Sequence, residues 1–180
     1  AYPDATRARS QPAFGAGAIF VGSQSGLVYA FDMETGCTRW QFQASSEVRN
    51  GLTLEPWDTD AESIDPLLFF GDLTGNQYAV SALTGELRWK QRIDDHSAAT
   101  MTAAAELSDG VLYVPSHGLT ALELAADGRS FKQKWRSSRL RPGTASPLVH
   151  RDRIYSLNSA GVLTCGDVDS GKRLWQLRLD

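Results

Sequence analysis

Short runs in which apolar and polar residues alternate fill this chain, and no segment shows convincing helical spacing. Four β-branched or aromatic runs, AIFVGS, LLFFGD, VLYVPS and RIYSLN, are each followed by a glycine turn at Gly26, Gly75, Gly118 and Gly161. A second alternating run comes next (LVYAFD, NQYAVS, LTALEL, VLTCGD), then a Thr-Gly, Asp-Gly or Ser-Gly turn, then a third run ending near Trp. Period-two alternation bounded by Gly, Asn, Asp and Ser is the pattern of hairpin-linked antiparallel strands. A weaker run precedes each unit, at Gln11–Phe14, Val48–Leu54, Thr100–Glu106 and Thr144–Val149, and counting it makes four strands per unit.

The units are copies of one another. DMETGCTRW at Asp32–Trp40 returns as SALTGELRW at Ser81–Trp89, LAADGRSFKQKW at Leu124–Trp135 and DVDSGKRLW at Asp167–Trp175. The turn glycines Gly36, Gly85, Gly128 and Gly171 are 49, 43 and 43 residues apart, close to the roughly 40 to 45 residues of a four-stranded propeller blade. The expected fold is all-β: a β-propeller of four-stranded antiparallel blades, about four of them, near residues 10–43, 44–91, 92–136 and 137–180 of a single domain spanning 1–180. In this phase the chain starts on an innermost strand and stops on an outermost one, Leu174–Leu179. It either closes as a small ring or forms an open half that must pair, because an unclosed arc exposes apolar blade faces at both ends. Ala1–Ser10 is the segment left to clasp such a ring; dimerisation and truncation of a longer parent are the other arrangements.

One Trp at the same place in every unit, Trp40, Trp89, Trp135 and Trp175, is what an inter-blade wedge requires, with a large face between sheets and a ring N–H seeking a carbonyl. The turn Gly supplies the positive backbone angle.

Composition narrows the partners. A hydrophobic fraction of 42% and a charged fraction of 22% are those of a globular protein. A net charge of -3 argues against nucleic acid or an anionic membrane as an electrostatic partner, and no apolar run approaches the roughly 20 residues that span a bilayer. Cys37 and Cys165 lie 128 positions apart in different elements of the repeat, so buried free thiols are expected rather than a bridge. Neither belongs to a CxxCH or CxxC site, and GxSxG, HExxH, GxxxxGK and GxGxxG are all missing.

The forms YAFDMETGCTRWQF and YAVSALTGELRWK resemble the tryptophan-docking repeat of pyrroloquinoline-quinone (PQQ) type propellers. TGCTRWQFQASSEVRNG, FFGDLTGNQYAVSALTGELRWKQRIDDHSAA and DGVLYVPSHG are similar to the polyvinyl-alcohol dehydrogenase branch, covering about the first two thirds. TASPLVHRDRIYSLNSAGVLTCGDVDSGKRLWQL resembles the generic repeat of outer-membrane assembly scaffold lipoproteins. The resemblance implies half of an eight-bladed propeller, a periplasmic or secreted location and a quinone cofactor with calcium. The chain lacks half the usual blades and the haem domain of many such dehydrogenases. The reading favoured here is a catalytically incomplete propeller or binding scaffold; the alternative is a quinoprotein alcohol dehydrogenase domain oxidising a secondary alcohol with PQQ.

PQQ is a flat tricarboxylate, so its tunnel wants Arg forks and apolar planes. The connections from one blade's last strand to the next blade's first share a face around the tunnel mouth, and they carry Ser45–Arg49, Asp94–Asp95–His96, and Arg139 with Arg141. His117, in an inner hairpin turn, belongs on that side. Arg49, Arg139 and Arg141 are the candidate cofactor ligands, Asp95 the base that takes a substrate hydroxyl proton, and His96 a proton shuttle. Each has a plainer reading. Arg49 is as well placed to pair with Asp94 or Asp95, Asp95 to cap a turn, and His96, Arg139 and Arg141 to face solvent. Without a cofactor, the partner is a second copy completing the ring, or a protein or carbohydrate bound through loops or an edge strand. The acidic segment Glu55–Pro66 fails the calcium-loop signature, since Ser63 replaces the turn glycine and Phe69 the closing Glu. It reads as a solvated loop on the opposite face, with an exposed Trp57 available to a partner.

Overall fold

The computed structural model describes residues 10–15, 17–56, 65–97 and 99–179. Among these there is no helix, and sixteen strands form four antiparallel sheets of four, each wound in chain order. The first holds β1 (Ala13–Gly15), β2 (Ala18–Gly22), β3 (Leu27–Asp32) and β4 (Thr38–Gln43). The second holds β5 (Thr53–Leu54), β6 (Leu67–Gly71), β7 (Asn76–Ser81) and β8 (Leu87–Arg92). The third holds β9 (Glu106–Ser108), β10 (Val111–Pro115), β11 (Leu119–Leu124) and β12 (Phe131–Ser137). The fourth holds β13 (Leu148–His150), β14 (Arg153–Leu157), β15 (Val162–Asp167) and β16 (Arg173–Arg178). The four-blade, all-β expectation holds. Trp57 and the acidic positions Asp58, Asp60 and Glu62, like Ala1 to Arg9 of the clasp segment, lie outside the described residues.

The innermost strands are shorter than the alternation suggests. Only Thr53 and Leu54 of the Val48–Leu54 run pair in a ladder, because Val48 is wholly buried between sheets and gives its N–H to Ser23 O at 3.1 Å. Met101 of the third run is likewise buried, against Gly71, where a Cβ would collide with its side chain. These residues join blades and do not extend a ladder.

Three apolar cores separate the four sheets. One joins Phe20, Val28 and Trp40 to Leu68, Phe70 and Val80; the next joins Phe69 and Trp89 to Leu112 and Leu122; the last joins Tyr113 and Trp135 to Ile154. Each Trp faces a small residue on the neighbouring strand (Ala30, Ala79, Ala121, Cys165), and a β-bulge follows that pair in every sheet. The bulge bends the outer strand and re-aims the indole outward from its sheet. Trp40 then lies on the turn of the second sheet, where a Cβ at Gly85 would sit 2.7 Å from its ring, and its Nε1–H donates to Ala82 O at 2.9 Å. Trp135 repeats this on Gly171, donating to Val168 O at 2.8 Å.

Two of the four indoles depart from the expected wedge. Trp89 is buried against Phe131, with ring centroids 4.7 Å apart, yet its Nε1–H has no acceptor. The outer hairpin it meets is longer: Ala121 and its partner Trp135 are 14 residues apart, whereas Ala30 and Trp40, Ala79 and Trp89, and Cys165 and Trp175 are each 10 apart. The turn of the third blade is carried farther out, and a Cβ at Gly128 would meet Leu67 rather than an indole. Trp175 is 45% exposed, because none of the four described sheets packs on it. These four sheets therefore form an open arc, not a small closed ring. Cys165 is buried and Cys37 is exposed, so the expectation of two buried thiols holds for Cys165 alone; both are free.

Truncating a buried wedge leaves a cavity, so Trp135→Ala is expected to lower stability by about 3 to 5 kcal/mol, and Trp175→Ala by less than about 1 kcal/mol, in urea denaturation of the monomer. Trp40→Phe removes a made hydrogen bond worth about 0.5 to 1.5 kcal/mol, whereas Trp89→Phe removes an orphaned donor and is expected to cost less. Equal losses for the two Phe variants would refute the assignment.

Candidate functional site

Each connection between blades docks on the second hairpin turn of the blade it enters. Leu73 N donates to Glu47 O at 3.0 Å in the second blade, and His117 N donates to Asp94 Oδ2 at 3.3 Å in the third. The connections and the inner turns therefore share one face, as the strand order requires. His117 lies against His96 there, the rings parallel within 3° and 4.0 Å apart.

In most blades this turn is closed by its own first residue. Asp72, fully buried, accepts from Thr74 N at 2.9 Å, Asn76 N at 3.1 Å and Tyr78 Oη at 2.7 Å. Asn158 accepts from Ala160 N and Val162 N, both at 3.0 Å. Ser23 serves the same place in the first blade, bonding to both N and O of Leu27. The third blade has a turn two residues shorter: Ser116 N donates to Gly118 O, whereas Asp72 N donates to Asn76 O. Here the missing carboxylate comes from outside. Asp94, 1% exposed, accepts from Ser116 Oγ at 3.0 Å and His96 N at 2.9 Å and forms an ion pair with Arg136 of β12.

Burial pushes the Asp94 carboxyl up, but the His96 N–H, Arg136 and Ser116 outweigh it and hold the group below the usual carboxylate range. Asp72 behaves alike, burial being overcome by Asn76, Tyr78 and Thr74. Sequence reasoning chose Asp95, which the structure leaves exposed beside the buried Asp94. The signal for Asp94 was countable: Ser116-His117-Gly118 is too short to cap itself, so a neighbouring acid must.

The other candidates are held locally. Arg49 binds Glu47, Nε to Oε2 at 2.6 Å, and not Asp94 or Asp95. Arg141 is exposed and points its Nε at Ser138 O at 2.8 Å, and Arg139 is exposed. Ser45 is tied to the second blade, its N–H donating to Tyr78 Oη at 2.9 Å while Lys90 Nζ donates to its Oγ at 2.6 Å.

The innermost strands β5, β9 and β13, with Gln11 ahead of β1, border an axial cleft of about 500 Å³, lined by Gln11, Thr53, Leu54, Glu106, Ser146 and Leu148 among others. Thr53 Oγ1 donates to Ala105 O at 2.6 Å and Ala104 N to Ser146 Oγ at 3.2 Å, stitching adjacent blades along it. Glu106 is the charged side chain in this lining; burial pushes its carboxyl up, opposed by the Val149 N–H. None of Arg49, Asp95, His96, Arg139 and Arg141 lines the cleft. On the opposite face Arg88 pairs with Asp65 and with Glu86 at 2.9 Å, and Leu67 N donates to Glu55 Oε2 at 3.0 Å, fastening both ends of the acidic segment.

The sequence and fold were compared with known proteins. The family model for PQQ-type repeats, described as outer membrane protein assembly factor BamB, matches residues 4–56 and 53–180. The chain belongs to this PQQ-type propeller repeat family. It is 32% identical over 164 residues to the polyvinylalcohol dehydrogenase of Sphingopyxis sp. (strain 113P3), covering 87% of this chain and 25% of that protein. In fold it is similar to BamB from Moraxella catarrhalis (TM-score 0.70, 18% identity, 92% of this chain and 47% of that one). It is also similar to the quinohemoprotein alcohol dehydrogenase ADHIIG of Pseudomonas putida HK5 (TM-score 0.71, 15% identity, 96% of this chain and 34% of that one). The chain thus spans between a quarter and a half of the length of these relatives.

A PQQ repeat fold does not by itself supply a PQQ site, so the fit was tested on the donor set. A tricarboxylate requires cations, yet among the described residues the axial cleft contains no Lys or Arg and holds one acid. No cluster of three His, Cys, Asp or Glu is arranged for a metal ion among the described residues. The described residues that line this cleft do not fit the cofactor on their own.

Because Asp94 has a folded-state pKa below its unfolded value, its contribution is fully present above about pH 4 and is lost as pH falls through the folded value. The thermal midpoint is therefore expected to drop on acidification below that pH. Asp94→Asn is expected to lower the midpoint at pH 7 and to flatten the acid limb, measured by circular dichroism; an unchanged acid limb would exclude Asp94 as a titrating brace.

Proposed function

We propose that these four blades act as a non-catalytic binding scaffold of the PQQ repeat family, taking a protein partner on the loop face and along exposed outer strands. One observation carries this reading: the buried and half-buried charges described on the loop face are held by their own neighbours, Asp94 by Arg136, Arg49 by Glu47 and Asp72 by hydrogen bonds from Thr74, Asn76 and Tyr78, while among the described residues the axial cleft holds no cation. Such a face offers shape, backbone groups and a pair of imidazoles, which suits recognition better than hydride or proton transfer. The outer strand β16 leaves backbone groups open for an added strand, a common mode of peptide capture. The family's description as an assembly factor agrees, and with it a periplasmic or outer-membrane-associated location.

A second reading rests on the 32% identity to a polyvinylalcohol dehydrogenase. In it these blades are part of a quinoprotein alcohol dehydrogenase: Arg49, Arg139 and Arg141 face the cofactor carboxylates, and Asp95 with His96 handles the substrate proton. The remaining cations would come from blades outside this chain.

Titrating the protein with PQQ and calcium separates the two. No saturable change in the quinone absorbance and no rise in thermal midpoint are expected. A saturable spectral shift abolished by Arg49→Ala would overturn the scaffold reading in favour of the dehydrogenase.

A further inference from the structure

Both ends of the arc carry one half of a blade joint, and the halves match. At the joint between the first and second sheets, the leading sheet contributes Ala13, Phe20, Val28, Trp40 and Phe42, and the following sheet Leu54, Leu68, Phe70, Tyr78, Val80 and Ala82. The strand register maps the leading set onto Leu148, Tyr155, Leu163, Trp175 and Leu177 of the last sheet. It maps the following set onto Phe14, Ile19, Val21, Tyr29, Phe31 and Met33 of the first. Neither set is covered: Trp175 is 45%, Leu177 55%, Phe14 75% and Met33 51% exposed. Phe14, Ile19 and Met33 already border an apolar groove of about 340 Å³.

The acceptor turn at the first sheet is built and empty. Gly36 has φ +69° and nothing within 4 Å of where a Cβ would be, whereas Gly85 and Gly171, with φ +74° and +65°, each lie under an indole. Asp32 holds this turn through Thr35 N at 2.9 Å, as Asp167 holds its own through Ser170 N at 2.9 Å. Met33 O occupies the place of Ala82 O and Val168 O, the two carbonyls that receive an indole N–H.

We propose that a second copy of this chain docks head to tail at both ends, Trp175 of each copy lying on Gly36 and donating to Met33 O of the other. Two such joints related by a two-fold axis close the ring, the outcome open to a heterologous interface whose rotation closes. Size agrees, since one copy matches 47% of a BamB chain, so two copies equal one such propeller. The same association removes both apolar faces from water and encloses the axial cleft. It goes beyond the scaffold reading and stands whether or not a quinone binds.

Light scattering over a concentration series tests it. A mass of twice 19.6 kDa is expected, with Trp175 emission shifting to the blue as the dimer forms. Trp175→Glu and Met33→Glu are both exposed changes and are expected to leave the strand signal intact while converting the protein to monomer. Mixing these two variants restores one intact joint, so the mixture is expected to associate where neither variant alone does. A wild-type monomer at every concentration would overturn the proposal and assign the end faces to blades of another or longer polypeptide. A dimer that persists in both variants, with no complementation, would overturn the docking geometry. Neither outcome bears on the PQQ titration.

Discussion

The indole joint is the interaction on which the rest of this structure depends. A twisted four-stranded sheet with apolar residues on both faces cannot stand in water alone, and it must be covered on each side by its neighbours. The outermost strand is the hardest to cover, being farthest from the axis where the sheets splay apart. An indole fills that gap, and three local features let it do so: a small residue opposite it, a bulge that re-aims it, and a glycine beneath it. Trp40 and Trp135 have all three together with a carbonyl acceptor. Stability is therefore shared among nearest-neighbour joints, with no single centre.

Both irregularities of the third blade follow from the lengths of its hairpins. An outer hairpin four residues longer than the others carries its turn past Trp89 and leaves the indole N–H orphaned within an otherwise tight aromatic contact with Phe131. A turn two residues short removes the self-capping side chain, and Asp94 arrives from the preceding connection to replace it. The first change is uncompensated and the second is compensated in full. The loop face is consequently most elaborated at the third blade, where Asp94, Arg136, Ser116, His96 and His117 meet.

That elaboration serves the backbone first. Buried charge on this face is consumed by turns, hydrogen bonds and ion pairs. The relationship to dehydrogenases and to assembly factors shows that one repeat architecture is found with both names.

The sequence by itself determined the strand count, the antiparallel order, the phase of the blades and the face to which the connections belong. These are nearest-neighbour properties, written as period-two alternation and turn glycines at a near-constant interval. His117 was legible for the same reason, since strand order alone decides on which face a turn emerges. Only the tertiary structure decided that Asp94 and not Asp95 is buried, that Arg49 turns to Glu47, and that Trp89 lacks an acceptor while Trp175 lacks a neighbour. Those outcomes depend on how one turn's length meets the next blade's backbone, a distance between chain-remote groups that no local pattern encodes.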